Sequence, residues 1–287
     1  MESEREELAF DVYDGEDDNN MMEPLCPVVI FHGLLDHKEN WADIAKEIAE
    51  KTVRKVYVLD MRDHGDSPKT SSMNHENNVC DLEQFIQKLK KPPVLIGHSL
   101  GGTAIMDLAF HKPNLVKEIV LVDVSPLTYP LNAEISGLTA TNILKQVLQQ
   151  LPTDINLTQA KTILKNKMKN VIQSSSVNKL MCSNLDKRDT GWKCKFNFES
   201  IEKMGTSKAM RNVYPLRGIF EGRCLLVHSD TSGYIIPKDD YKLLKIRFPK
   251  IQILCFENCS HWIHLDMPRE LTHSIVQFLN KNNVMDK

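Results

Sequence analysis

Short unbroken apolar runs alternate with amphipathic stretches along most of the chain. Runs of the first kind are Pro27 to Phe31 (PVVIF), Val56 to Leu59, Val94 to Ile96, Glu118 to Val124 (EIVLVDV), Arg223 to His228 (RCLLVH) and Ile251 to Phe256. Continuous apolar strands of this length suit a parallel sheet covered on both faces. Between them the pattern changes to helical spacing. Trp41, Ile44, Ala45, Ile48 and Ala49 predict a helix from Asn40 to Glu50 with Asn40 as its N-cap. Further helices are expected over Val79 to Leu89, after Gly102 (Ala104, Ile105, Leu108, Ala109), over Tyr241 to Arg247 and over Pro268 to Leu279. The alternation predicts an α/β fold with a doubly wound, mostly parallel sheet and right-handed crossovers. Glu7 to Tyr13 alternates apolar and polar residues as an edge strand does, and Asp14-Gly15 opens a loop.

From about Leu127 to Arg217 this rhythm stops. Helical patterns occur (Asn142 to Leu151, Thr158 to Ile172), but no buried-strand run does. Ligands in open α/β sheets bind at the carboxyl ends of the strands, so an insertion placed there is expected to be a cap or lid. The expected organisation is an acidic N-terminal segment with an edge strand (1–26), a first core part (27–126), a helical cap (127–217) and a second core part (218–287). Leu138, Ile143, Leu144, Val147, Leu148 and Leu151 in the insertion fit either the lining of a ligand pocket or, at helical spacing, ordinary cap packing.

The candidate chemistry centres on Gly97-His98-Ser99-Leu100-Gly101, between an apolar run and a helix. In a G-x-S-x-G elbow the serine takes a strained backbone conformation at a strand-to-helix turn, with its hydroxyl lifted from the sheet beside a helix N-terminus. The plainer account of Ser99 is a helix cap. A serine nucleophile needs a base oriented by a carboxylate. His261 follows the last strand, where the base is expected, with His264 as its rival. The acid is open by position between Asp123, which ends the strand after the elbow helix, and Asp230, which ends the next. Asp123 is preferred because it sits in the tight VDVSP segment. The Leu100 N–H is one expected oxyanion donor. The second is the Leu34 N–H in His32-Gly33-Leu34, with Gly33 allowing the bend.

Charge and cysteine content narrow the setting. A formal net charge of −2 gives no electrostatic case for nucleic acid, and the Lys-rich stretch from Lys161 to Lys169 reads as a solvated helix face. No apolar stretch approaches the length of a membrane span. The 7 cysteines are odd in number and show no zinc-type spacing, so a reduced intracellular compartment, the cytoplasm first, is expected. The acidic N-terminus resembles neither a secretory signal nor a mitochondrial presequence. No cofactor or metal is implied.

The stretches FHGLLDHKENW, LDMRDHGDSP, IGHSLGG, VDVSPL and SHWIHLDMP together resemble α/β-hydrolase-fold serine hydrolases. Specifically, they are similar to the alpha/beta-hydrolase domain-containing protein eleven family and its bacterial esterase relatives. The resemblance implies Ser99 as nucleophile, His261 as base and Leu34 and Leu100 as oxyanion donors. It also implies esterase or lipase activity on acyl esters, including diacylglycerol-like substrates. It supports Asp123 as the acid and adds Glu199, in KFNFE, as a third candidate. Ser260 stands where a glycine usually precedes the histidine, and a mitochondrial location follows from the resemblance alone. An acyl thioesterase uses the same acyl-enzyme chemistry, and a binding or partner-stabilising protein that kept the fold without turnover is the alternative of another class.

Overall fold

The computed structural model describes residues 5–15, 25–70, 73–127, 133–189, 191–206 and 216–281. Much of the acidic stretch expected to form the N-terminal segment therefore lies outside the described residues. Strands β1 (Phe10–Tyr13), β2 (Val28–Phe31) and β3 (Val56–Leu59) are joined by helix α1 (Ala42–Thr52) between the last two. Helix α2 (His75–Gln87) leads to β4 (Val94–His98), helix α3 (Leu100–His111) and β5 (Glu118–Val122). Then come α4 (Ala133–Gln150), α5 (Leu157–Met168), α6 (Ser175–Ser183), a hairpin of β6 (Leu185–Arg188) and β7 (Gly191–Cys194), and α7 (Phe198–Thr206). The core resumes with β8 (Arg223–Ser229), α8 (Pro237–Arg247), β9 (Lys250–Phe256), the one-turn α9 (Ile263–Asp266) and α10 (Pro268–Asn280).

The 7-stranded sheet has the order β1-β3-β2-β4-β5-β8-β9. Only β1 runs antiparallel, pairing Phe10 with Leu59 and Tyr13 with Val56; every other pairing is parallel. The apolar runs follow from burial on both faces. Val29, Phe31, Leu95, Leu121 and Leu226 point into one core, and Val28, Ile30, Ile96, Val120 and Val227 into the other. Helices α1 and α10 supply residues such as Ile44, Ile48, Ile275 and Phe278 to the second core. The first is closed by α2 and α3 and extended by Leu144, Val147, Leu164 and Leu180 of the inserted helices.

Two helix starts differ from the periodicity. Asn40 does not cap α1: a 3-10 turn over Lys38–Trp41 precedes the helix, and the Asn40 amide instead donates to Asp36 Oδ1 at 2.7 Å. Helix α2 begins a turn before Val79, capped by Asn74, whose side chain accepts the Asn77 N–H at 2.8 Å. Its first turn is polar but buried at His75, Asn77 and Asn78, so an apolar stripe could not reveal it. In the insertion, Leu144, Val147 and Leu151 are buried, while the Leu138 side chain lies outside the described residues. Lys165, Lys167 and Lys169 form an exposed face, as the charge pattern predicts.

Candidate active site

The elbow forms where β4 meets α3. Ser99 has φ 50° and ψ −119°, a conformation that costs about 1–3 kcal/mol and persists only where its surroundings enforce it. The glycines two residues either side enforce it by proximity. A β-carbon on Gly97 would come within 2.5 Å of Gly102 Cα, and one on Gly101 within 2.1 Å of the Phe31 carbonyl oxygen. The helix N-terminus is thereby pressed against the end of β2. Ser99 stands at the N-cap position, but its hydroxyl makes no capping bond, so the cap account of this serine fails. Its carbonyl accepts the Thr103 N–H at 3.0 Å, and its N–H donates to the Val122 carbonyl at 3.2 Å.

His261, in the loop between β9 and α9, hydrogen-bonds through Nδ1 to Asp123 Oδ2 at 2.7 Å. Asp123 ends β5 with φ 49° and is fully buried. Its other oxygen, Oδ1, accepts the Ser229 N–H and the Ser232 hydroxyl, both at 3.0 Å. The imidazole is also held by its face: the Tyr234 ring stacks on it at 3.9 Å and 6°. From beneath, His98 Nε2 donates to the His261 carbonyl oxygen at 3.0 Å. Burial pushes His98 well below the ordinary histidine range, which keeps it neutral.

The remaining acid candidates are not brought to His261. Asp230 is exposed and accepts the Asn258 N–H at 3.1 Å, a loop contact. Its SDTSGY segment does serve the site, through Ser229, Ser232 and Tyr234. Glu199 is exposed and pairs with Lys203 at 2.8 Å, which lowers its carboxyl below the usual range. His264, the rival base, is buried in α9, stacks on Trp41 at 4.4 Å and faces Asp36 Oδ2 at 3.1 Å.

The turn after β2 lies against the elbow. Gly33 approaches closely enough that a β-carbon there would sit 3.1 Å from Ser99 Cβ and 2.8 Å from His98 Nδ1. Closeness explains this glycine; the left-handed residue of the turn is Leu35, with φ 66°. The Leu35 N–H donates to His64 Nε2 at 3.0 Å, and His64 Nδ1 donates to the Arg62 carbonyl at 2.9 Å. His64, lowered well below its ordinary range by burial, is a fixed neutral acceptor. The Leu34 N–H donates to no acceptor among the described residues.

Among the described residues, Asp36, His98 and His264 have donor atoms within 4.8 Å of one another, the spacing to consider for a metal ion. Asp36, however, already accepts the His37 N–H (2.8 Å), the Asn40 amide (2.7 Å) and the Trp41 indole N–H (2.9 Å) besides facing His264. Its charge is matched within the protein. Burial alone would raise the Asp36 carboxyl, but His264 and the neighbouring histidines outweigh it and hold it well below the carboxylate range. These residues escape a reading by motif because their partners lie far apart in sequence; the Asp36 to Trp41 spacing within HGLLDHKENW is the one local signal.

Buried neutral histidines make the fold acid-labile. His37 is lowered to about 4, chiefly by burial, and burial also holds His64 and His98 well below the ordinary histidine range. In the unfolded chain each takes up a proton near pH 6.5. Their contribution is therefore complete above about pH 6.5 and is lost as pH falls towards 4, by about 1.4 kcal/mol per pH unit for each histidine. Urea denaturation midpoints at steps of pH between 7 and 4 should fall monotonically; a flat profile would contradict this assignment.

An open cleft of about 780 Å³ lies on the inserted helices, lined by Trp192, Phe196 and Phe198 and by charged side chains such as Lys145, Lys193 and Glu202. The Phe196 ring is 6.4 Å from the His64 ring, so the cleft abuts the residue that fixes the Leu35 turn.

A profile of the alpha/beta hydrolase fold matches residues 27–268. The chain is 32% identical over 277 residues to the sn-1-specific diacylglycerol lipase ABHD11 of Danio rerio, covering 95% of this chain and 82% of that one. It is also 32% identical over 259 residues to an abhydrolase domain-containing protein of Schizosaccharomyces pombe, with 88% and 92% covered. A marine microorganism esterase of known structure superposes with a TM-score of 0.76 at 25% identity, covering 95% of this chain and 99% of that one.

Proposed function

The chain belongs to the alpha/beta hydrolase fold family, and from that premise we propose that it is a carboxylic ester hydrolase with Ser99 as nucleophile, His261 as base and Asp123 as the orienting acid. The observation that carries this reading is the 2.7 Å bond from His261 Nδ1 to the buried Asp123, made beside a strained serine with no capping bond. With Nδ1–H committed to Asp123, Nε2 is left as the lone-pair nitrogen. It takes the Ser99 proton as Oγ attacks the ester carbonyl, and then returns it to the leaving alcohol. An acyl-enzyme remains. His261 next deprotonates a water, which attacks the acyl carbon and releases the acid and Ser99. The Leu34 and Leu100 amides hold the oxyanion in both halves, a role in which one donor contributes about 10²- to 10³-fold.

The name of the Danio rerio relative supports a lipid-like acyl ester, of the diacylglycerol type, as substrate. The cysteines are free where described, which fits a reducing compartment. No helix among the described residues is long and apolar enough to cross a membrane. The test is a series of p-nitrophenyl esters of increasing chain length, run beside a matched thioester and a diacylglycerol. The expected result is turnover of the oxygen esters with a preference for longer chains. Hydrolysis of the thioester alone, or of nothing, would overturn the reading.

A further inference from the structure

Helix α6 touches both halves of the site. At its N-terminal end the Ser176 hydroxyl, itself buried, donates to Asp266 Oδ1. Asp266 Oδ2 accepts the Ser260 N–H at 2.8 Å and the Ser260 hydroxyl at 2.6 Å, and Ser260 is the residue before His261. At the other end, Ser183 Oγ bonds His37 Nε2 and accepts the Asn40 amide, both at 3.1 Å. Asn184, which follows the helix, donates to the Leu35 carbonyl at 2.8 Å and back to the Leu180 carbonyl at 2.8 Å. The helix thus spans from the loop bearing His261 to the turn bearing Leu34.

We propose that α6 is a positioning element: through Ser176, Asp266 and Ser260 it fixes the His261 loop, and through Ser183 and Asn184 it fixes the Leu34–Leu35 turn. The proposal rests on the reading of His261 as the base. Plain docking of an inserted helix on a core would need only apolar contacts, and α6 has those in Val177, Leu180 and Met181. The polar contacts are extra: through Asp266 they reach Ser260, the residue before His261, and they end on Leu35, His37 and Asn40 in and just after the turn that carries Leu34. Burial raises the Asp266 carboxyl, but the Ser176 and Ser260 bonds outweigh it and hold the group below its ordinary range, so it stays an anion. Charge-assisted bonds to an anion are among the strong ones, and they restrict direction as well as distance. Directional contacts at both ends let one helix hold the His261 loop and the Leu34–Leu35 turn at the same time.

The experiment compares wild type, Ser176→Ala, Asp266→Asn and Ser183→Ala, with Lys167→Ala on the exposed face of α5 as control. Four quantities are read: kcat, KM, the thermal midpoint and the downfield NMR resonance of the His261 Nδ1–H proton. Ser176→Ala and Asp266→Asn should lower kcat by about 10- to 100-fold with KM within about twofold, because small displacements of a catalytic group have effects of this order. Both should shift or broaden the resonance. Ser183→Ala should lower kcat and leave the resonance in place, since it acts on the other half of the site. Lower thermal midpoints with wild-type kcat and an unmoved resonance would overturn the proposal and make the contacts merely structural. If wild type hydrolyses no ester, the catalytic reading fails separately, and the resonance still decides whether α6 positions His261.

Discussion

Replacing Ser99 with alanine is expected to lower kcat on an acyl ester by at least about 10⁴-fold while leaving the fold intact. In the proposed mechanism Ser99 supplies the atom that forms the acyl bond, and no neighbouring hydroxyl stands at the apex of the turn to replace it. Its side chain makes no capping bond, so the helix does not depend on the oxygen. Alanine keeps the β-carbon and inherits the same backbone strain, so stability should change by no more than about 0.5 kcal/mol. Initial rates on a p-nitrophenyl ester together with a thermal melt check both halves. Residual turnover within tenfold of wild type would place the nucleophile elsewhere.

The second large effect is expected at Asp123. In Asp123→Asn the amide oxygen can take the place of Oδ1 and go on accepting the Ser229 N–H and the Ser232 hydroxyl. The NH₂ group then faces His261 Nδ1, where an acceptor is needed. The imidazole is driven to the tautomer protonated on Nε2, which cannot accept the Ser99 proton. A loss of about 10³- to 10⁴-fold in kcat follows, with the fold retained. Asp230→Asn and Glu199→Gln should stay within about twofold of wild type, as exposed substitutions do. Rates for the three variants at one pH separate the acid candidates; an equal loss in Asp230→Asn would contradict the assignment to Asp123.

What could be read in advance divides by the range of the interactions. The strands were legible because burial on both faces leaves long apolar runs, and the elbow because its strain needs glycines at Gly97 and Gly101, a local demand. The acid is open between Asp123 and Asp230 in the sequence because each directly follows one of two neighbouring parallel strands, β5 and β8. Only the tertiary arrangement decides which carboxylate meets His261, and it turns Asp230 to the loop while Ser232 and Tyr234 of the same segment support the imidazole. The same holds for α6. Its serines and Asn184 look like ordinary polar positions until helix, His261 loop and Leu35 turn are brought together over separations such as 90 residues between Ser176 and Asp266. Gly33 shows a subtler limit: a glycine in a turn suggested a bend, whereas its missing side chain makes room for His98 and Ser99.

The proposed mechanism requires an activated Ser99 above all. The most direct measurement is labelling of the purified protein with a fluorophosphonate, followed by mass-spectrometric mapping of the modified peptide. The account predicts one adduct, on Ser99, absent from Ser99→Ala and strongly slowed in His261→Ala. No adduct on the wild-type protein, or an adduct on another residue that persists in Ser99→Ala, would contradict it.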